Sequence, residues 1–130
     1  LMISPQADEL VIVQKTEKAN SGIYRLANPK WPGSSKLSYQ GSVTLAENPV
    51  LRLITGGAYS PDGKHIALRT YDSIFEFASG RSWFLTKPTK IQLLIEIQGE
   101  AVTYSATGDQ FVTSSEKTPC QISAVPISER

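Results

Sequence analysis

The chain has 130 residues, 13 Lys and Arg against 12 Asp and Glu, one His and one Cys; 40% is hydrophobic and 19% charged. That length bounds one ordinary domain or a piece of one, with apolar residues enough for a core, which excludes disorder. A net charge of +1 carries no field to gather phosphates or acidic lipid heads, which argues against nucleic-acid and membrane partners, and one cysteine excludes an intrachain disulfide framework or a multi-Cys zinc cluster.

In chain order, Leu-Met-Ile-Ser-Pro opens without a basic region leading into an apolar stretch, and the longest apolar run, Leu10-Val11-Ile12-Val13, is far too short for a bilayer span. Strands are predicted over 9–14, 22–26 and 41–45, with a turn-rich insertion, Asn28 to Ser35, between the last two. Four more follow at 54–59, 65–70, 73–77 and 91–97, the last placing Ile91, Leu93, Ile95 and Ile97 on one face and Gln92 and Glu96 on the other. Residues 79–85 read as a helical turn, and strands over 100–104, 110–115 and 121–126 close the series.

A repeat underlies this order. Ala58-Tyr59-Ser60-Pro61-Asp62-Gly63-Lys64-His65-Ile66-Ala67-Leu68 aligns with residues 103–113, Tyr, Ser and Gly matching at an offset of about 45 residues. Ser4-Pro5-Gln6-Ala7-Asp8-Glu9-Leu10-Val11-Ile12 repeats the pattern about 56 residues ahead of its counterpart. Ser-Pro-Asp-Gly suits a tight reversal, since Pro presets φ and Gly accepts a positive φ on exit. Asp62 and Asp109 are accounted for by these turns. Four short strands per unit at this period is the grammar of a β-propeller blade. The expected fold is all-β: three four-stranded propeller-type blades at about 1–46, 51–97 and 98–130, roughly half of a six-bladed ring. Three blades make an arc with unpaired edges and apolar faces, so it is expected either to belong to a longer chain that supplies the other blades or to close a ring with a second copy.

The run Tyr59 to Ala67 resembles the Ser-Pro-Asp-Gly-Lys turn of the WD40-like repeats of TolB-type propellers. Residues 54–77, followed by Gln98-Gly99-Glu100-Ala101, also resemble the C-terminal half of a set of bacterial propeller proteins related loosely to esterase-like phytases. The pattern is departed from at Ala106-Thr107 and at Gln6-Ala7. The phytase likeness implies a metal-dependent esterase or phosphoesterase using Glu100 with residues from the rest of the ring, and relatives of this kind are often exported.

The candidate binding residues are Glu100, Arg69 and Tyr71. Glu100 lies on a strand expected to line the channel and follows Gly99, which permits close backbone approach. It either binds a ligand or a hard cation such as calcium, to which it brings one oxygen-donor group, or pairs with a cation or backbone amides of the neighbouring blade. Arg69, beside Thr70, Tyr71 and Asp72, offers paired donors for a carboxylate or phosphate, or else is structural and tied to Asp72 or Glu100. Neither a catalytic residue nor a metal centre is assigned. His65 is expected to be solvated and lacks a Gly-x-Ser-x-Gly partner; Ser114 to Lys117 matches Ser-x-x-Lys where a strand ends rather than where a helix begins. Cys120 reads as a packing residue, Gly56-Gly57 as close packing near the channel, and Trp31, Trp83 and Phe84 as caps on the blade cores or an association surface. A non-enzymatic scaffold for a protein or small-molecule ligand is the function these features favour.

Overall fold

The structure, a computed structural model, describes residues 1–30, 32–46, 48, 50–94 and 98–127. It contains three antiparallel sheets. The first orders β1 (Met2–Ile3), β2 (Glu9–Val13), β3 (Ser21–Ala27) and β4 (Ser38–Val43) side by side; the second orders β5 (Gly56–Tyr59), β6 (His65–Arg69), β7 (Ser73–Ala78) and β8 (Thr89–Gln92). The third places β10 (Gln110–Ser115) between β9 (Gly99–Tyr104) and β11 (Ile122–Pro126). Sequential strands pair because short reversals join them, and β5 sits beside both β1 and β9.

The middle sheet is covered on both faces. Period-2 alternation sends Ile66, Leu68, Phe75 and Phe77 against Met2, Val11, Ile23 and Val43 of the first sheet, and Ala67 and Ile74 against Val102, Tyr104 and Phe111 of the third. A strand buried on both sides has no polar face, so Arg69 and Glu76 lie among the core residues. Each is met by the third sheet: the Tyr104 hydroxyl donates to Glu76 Oε1 at 2.9 Å, while Arg69 reaches backbone carbonyls. The helical turn expected over 79–85 is a single 3-10 turn, Trp83–Leu85. Trp83 seals the first core by stacking edge-on to Phe77, 5.0 Å between centroids, and to Phe84 at 5.7 Å. It thus caps a blade core; Trp31 lies outside the described residues.

All three inner hairpins share one hydrogen-bonded design. Ser4, Ser60 and Ser105 each accept, at the hydroxyl, the backbone N–H of the residue five positions on, at 3.0, 2.9 and 3.2 Å. Each also donates that hydroxyl to a carboxylate, Asp8 at 2.6 Å, Asp62 at 2.6 Å and Asp109 at 2.7 Å. The fourth position takes a positive φ: 72° at Gly63, 76° at Gly108 and 57° at Ala7. The three turns stack along one edge of the arc, with Pro5 and Gln6 beside Gly63 and Pro61 beside Gly108.

Two expectations fail, at β8 and at the start of β6. The strand assigned to 91–97 is Thr89–Gln92. It ends because its partner β7 begins at Ser73; the Leu93 N–H turns to the Asp72 carbonyl at 2.8 Å and Leu93 enters the second core. Leu94 is exposed, and Ile95 and Ile97 fall outside the described residues. His65 is half-buried rather than solvated, with Nδ1 buried.

Candidate functional site

The edge opposite the stacked turns carries the β2–β3 connection, the β6–β7 reversal and the start of β9. The reversal is tight: the Thr70 N–H donates to the Ser73 carbonyl at 2.9 Å, and the Thr70 hydroxyl to Asp72 Oδ1 at 3.0 Å. With Thr70 and Asp72 so engaged, Tyr71 is the residue that projects. Its hydroxyl donates to Glu100 Oε1 at 3.3 Å. Lys15, just beyond β2, places Nζ 3.2 Å from both Glu100 oxygens and 5.7 Å from the centroid of the Tyr71 ring. One side chain from each sheet therefore meets at one point.

Glu100 pairs with a cation from another sheet, Lys15. Its side chain is 22% exposed and that of Lys15 is 48% exposed. Partial burial pulls the Lys15 ammonium down, but the hydrogen bond and charge of Glu100, with the smaller contribution of Tyr71, outweigh it and raise the pKa above the ordinary value. The cluster is charged, oriented and partly open to solvent.

Arg69 is not part of this cluster. It is fully buried, and its guanidinium donates from Nη1 to the carbonyls of Ala101 at 2.7 Å and Ser114 at 3.1 Å, and from Nε to Thr70 at 3.3 Å. Ala101 and Ser114 stand beside a β-bulge, where the β9–β10 register shifts between Ser114 and Ser115. A bulge leaves ladder groups without strand partners, and a fork of N–H donors supplies them. Gly99 makes the space: a Cβ there would lie 1.8 Å from Arg69 Nη2. The glycine pair Gly56-Gly57 is likewise closely packed, against the Glu100 carbonyl and Met2.

Lys15 carries no local motif. The signal for it is the repeat itself, since the offset of 56 residues between the first two hairpins puts Lys15 at the position equivalent to Tyr71. Among the described residues no group of three or more His, Cys, Asp and Glu converges as metal ligands would. Cys120 is exposed rather than the packing residue expected, with Sγ directed at the Ser115 carbonyl, and Ser114 belongs to strand β10.

No family model matches the chain, and no curated protein matches it. Among solved structures it is similar to the β-propeller domain of Cps50 (Swd1) from Myceliophteria thermophila, with a TM-score of 0.64 at 10% sequence identity, over 97% of this chain and 39% of that one. The fold is a partial β-propeller. Its three sheets are blades, β1, β5 and β9 are their innermost strands, and Lys15, Tyr71 and Glu100 stand on one rim, each from a different blade. The chain spans well under half the length of that propeller domain.

Proposed function

We propose that the chain is a non-enzymatic binding scaffold whose Lys15–Tyr71–Glu100 rim receives a protein or small-molecule partner. The observation that carries this is the convergence of three side chains from three blades at one solvent-facing point. A rim built this way holds its geometry through the rigid sheets beneath it. The proposal includes a TolB-type assignment, supported by the Ser60–Gly63 turn and its two counterparts. Blades at about 1–46, 51–97 and 98–130 would belong to a six-bladed ring completed by further polypeptide or by a second copy.

The test compares wild type with Tyr71→Ala and Glu100→Ala. A partly exposed ion pair is worth at most about 1 kcal/mol, so both variants should fold with Tm lowered by no more than about 5 °C. Partner capture from an extract of the source cells should fall at least tenfold in both. Equal capture by all three proteins would refute the rim. The esterase reading implied by the phytase likeness requires calcium or a similar ion at Glu100, and calcium wants about six to eight oxygens where the rim brings one carboxylate, already held by an ammonium and a phenol. Millimolar calcium is therefore expected to leave Tm unchanged, and chromogenic phosphate and acyl esters to remain intact. Turnover that disappears in Glu100→Ala would favour the enzyme instead.

A further inference from the structure

On the other edge of the arc, between the first and second blades, lies a cleft of about 430 Å³ lined by Glu9, Arg25, Gln40, Tyr59, Arg81 and Trp83 among others. Small-molecule sites run from about 300 to 1,000 Å³, so the space is large enough for one. It is distinct from the rim and rests on different residues.

The polar groups in the cleft divide into those already spent and those left over. Glu9 accepts the Tyr59 hydroxyl on Oε1 at 2.6 Å and the Arg25 guanidinium on Oε2. Its charge is therefore answered from both sides. Tyr59 stays a donor throughout the ordinary pH range, because burial, reinforced by its bond to Glu9, pushes its phenol well above the usual value. Asp8, also at the cleft, is engaged by the Ser4 hydroxyl. Gln40 Nε2 donates to the Ser38 carbonyl at 3.2 Å, which leaves its Oε1 to accept from something else. Arg81 is exposed on the loop that leads into the 3-10 turn and makes no ion pair or hydrogen bond among the described residues. One wall is aromatic, formed by the half-buried Phe84 ring, which stands edge-on to the buried Trp83 behind it.

The unspent groups are thus a guanidinium fork, an amide oxygen and an apolar wall. We propose that this cleft binds a carboxylate joined to an apolar or aromatic group, the carboxylate on Arg81 and the apolar part against Phe84. Two sources present that chemistry: a free aryl or alkyl acid, and the C-terminal residue of a peptide, whose amide N–H would meet Gln40 Oε1.

Isothermal titration of the full chain tests this with three probes: 3-phenylpropionate, N-acetyl-phenylalanine and N-acetyl-phenylalaninamide. Both acids should bind, and the amide, which lacks the charge, should bind at least tenfold more weakly. Arg81→Ala should weaken the acids about tenfold and leave the amide unaffected, while Arg81→Lys should recover part of the loss. Tighter binding of the acetylated amino acid than of phenylpropionate, with the advantage lost in Gln40→Ala, supports the peptide source; equal binding supports the free acid. The acid-to-amide comparison is made on wild type and does not depend on a variant folding. Absence of binding by either acid, equal affinity for acid and amide, or acid binding indifferent to Arg81 would overturn the proposal.

Discussion

Arg69 is one of the side chains that join the second and third blades. A buried guanidinium is costly unless its donors are satisfied, and this one is held by carbonyls from both blades. It therefore has no freedom to move aside. A methyl group at residue 99 would stand 1.8 Å from Nη2, so Gly99→Ala must either displace the guanidinium from its carbonyls or part the blades. Overpacking and loss of charge-assisted bonds together should cost about 2–3 kcal/mol, read as a lower urea midpoint. A loss under about 0.5 kcal/mol would show that Arg69 is not fixed as described. The same geometry gives Gly99 its reason: it admits a side chain from the neighbouring blade rather than a ligand from the channel.

At the scale of the hairpin, the three turns obtain the same bonds from different sequences. In the second the carboxylate stands two residues after the serine, at Asp62; in the first and third it stands four residues after, at Asp8 and Asp109. Asp62 is held below the usual carboxylate range by the Ser60 hydroxyl and then by the Lys64 N–H, and Asp109 by the hydroxyls of Thr107 and Ser105. A depressed folded-state pKa stabilises above the unfolded value of 3.8 and ceases to as pH falls through the folded value. Asp62→Asn with Asp109→Asn should accordingly lower Tm at neutral pH, and the gap from wild type should close as pH drops below about 4. A gap independent of pH would mean that the carboxylates act there by shape alone. Such turns are legible from sequence because Ser, Pro, Asp and Gly act within a few residues of one another. Strand β8 was not, since the apolar alternation from Ile91 to Ile97 runs on past the point where β7 stops offering partners. The rim was legible in part: Tyr71 and Glu100 carry local signals, whereas Lys15 pairs with Glu100 across 85 residues and across two sheets.

Across the whole molecule, the second blade differs from its neighbours in having both faces covered. The first presents Leu1, Ile3 and Tyr39 to solvent at 71, 51 and 62% exposure, beside an apolar groove at Leu10, Ile12, Leu26 and Leu37. On the third, alternation puts Ala101, Thr103, Val112 and Ala124 on the face away from the second blade, next to Ile122 at 72% exposure. In a ring these are the faces on which further blades would pack, and twisted sheets of similar shape complement one another there. The 130-residue chain by itself is therefore expected to associate, at least to a dimer, burying on the order of 800 Å² from each copy. Light scattering coupled to size exclusion should report a mass that falls toward the monomer on dilution. Ile3→Lys with Ile122→Lys should lower the association constant at least tenfold while leaving the circular dichroism spectrum unchanged, because both side chains are exposed and bear little of the internal packing. A dispersed monomer at high concentration would show that the outer faces are tolerated bare, and the case for a second copy completing the ring would fall with it.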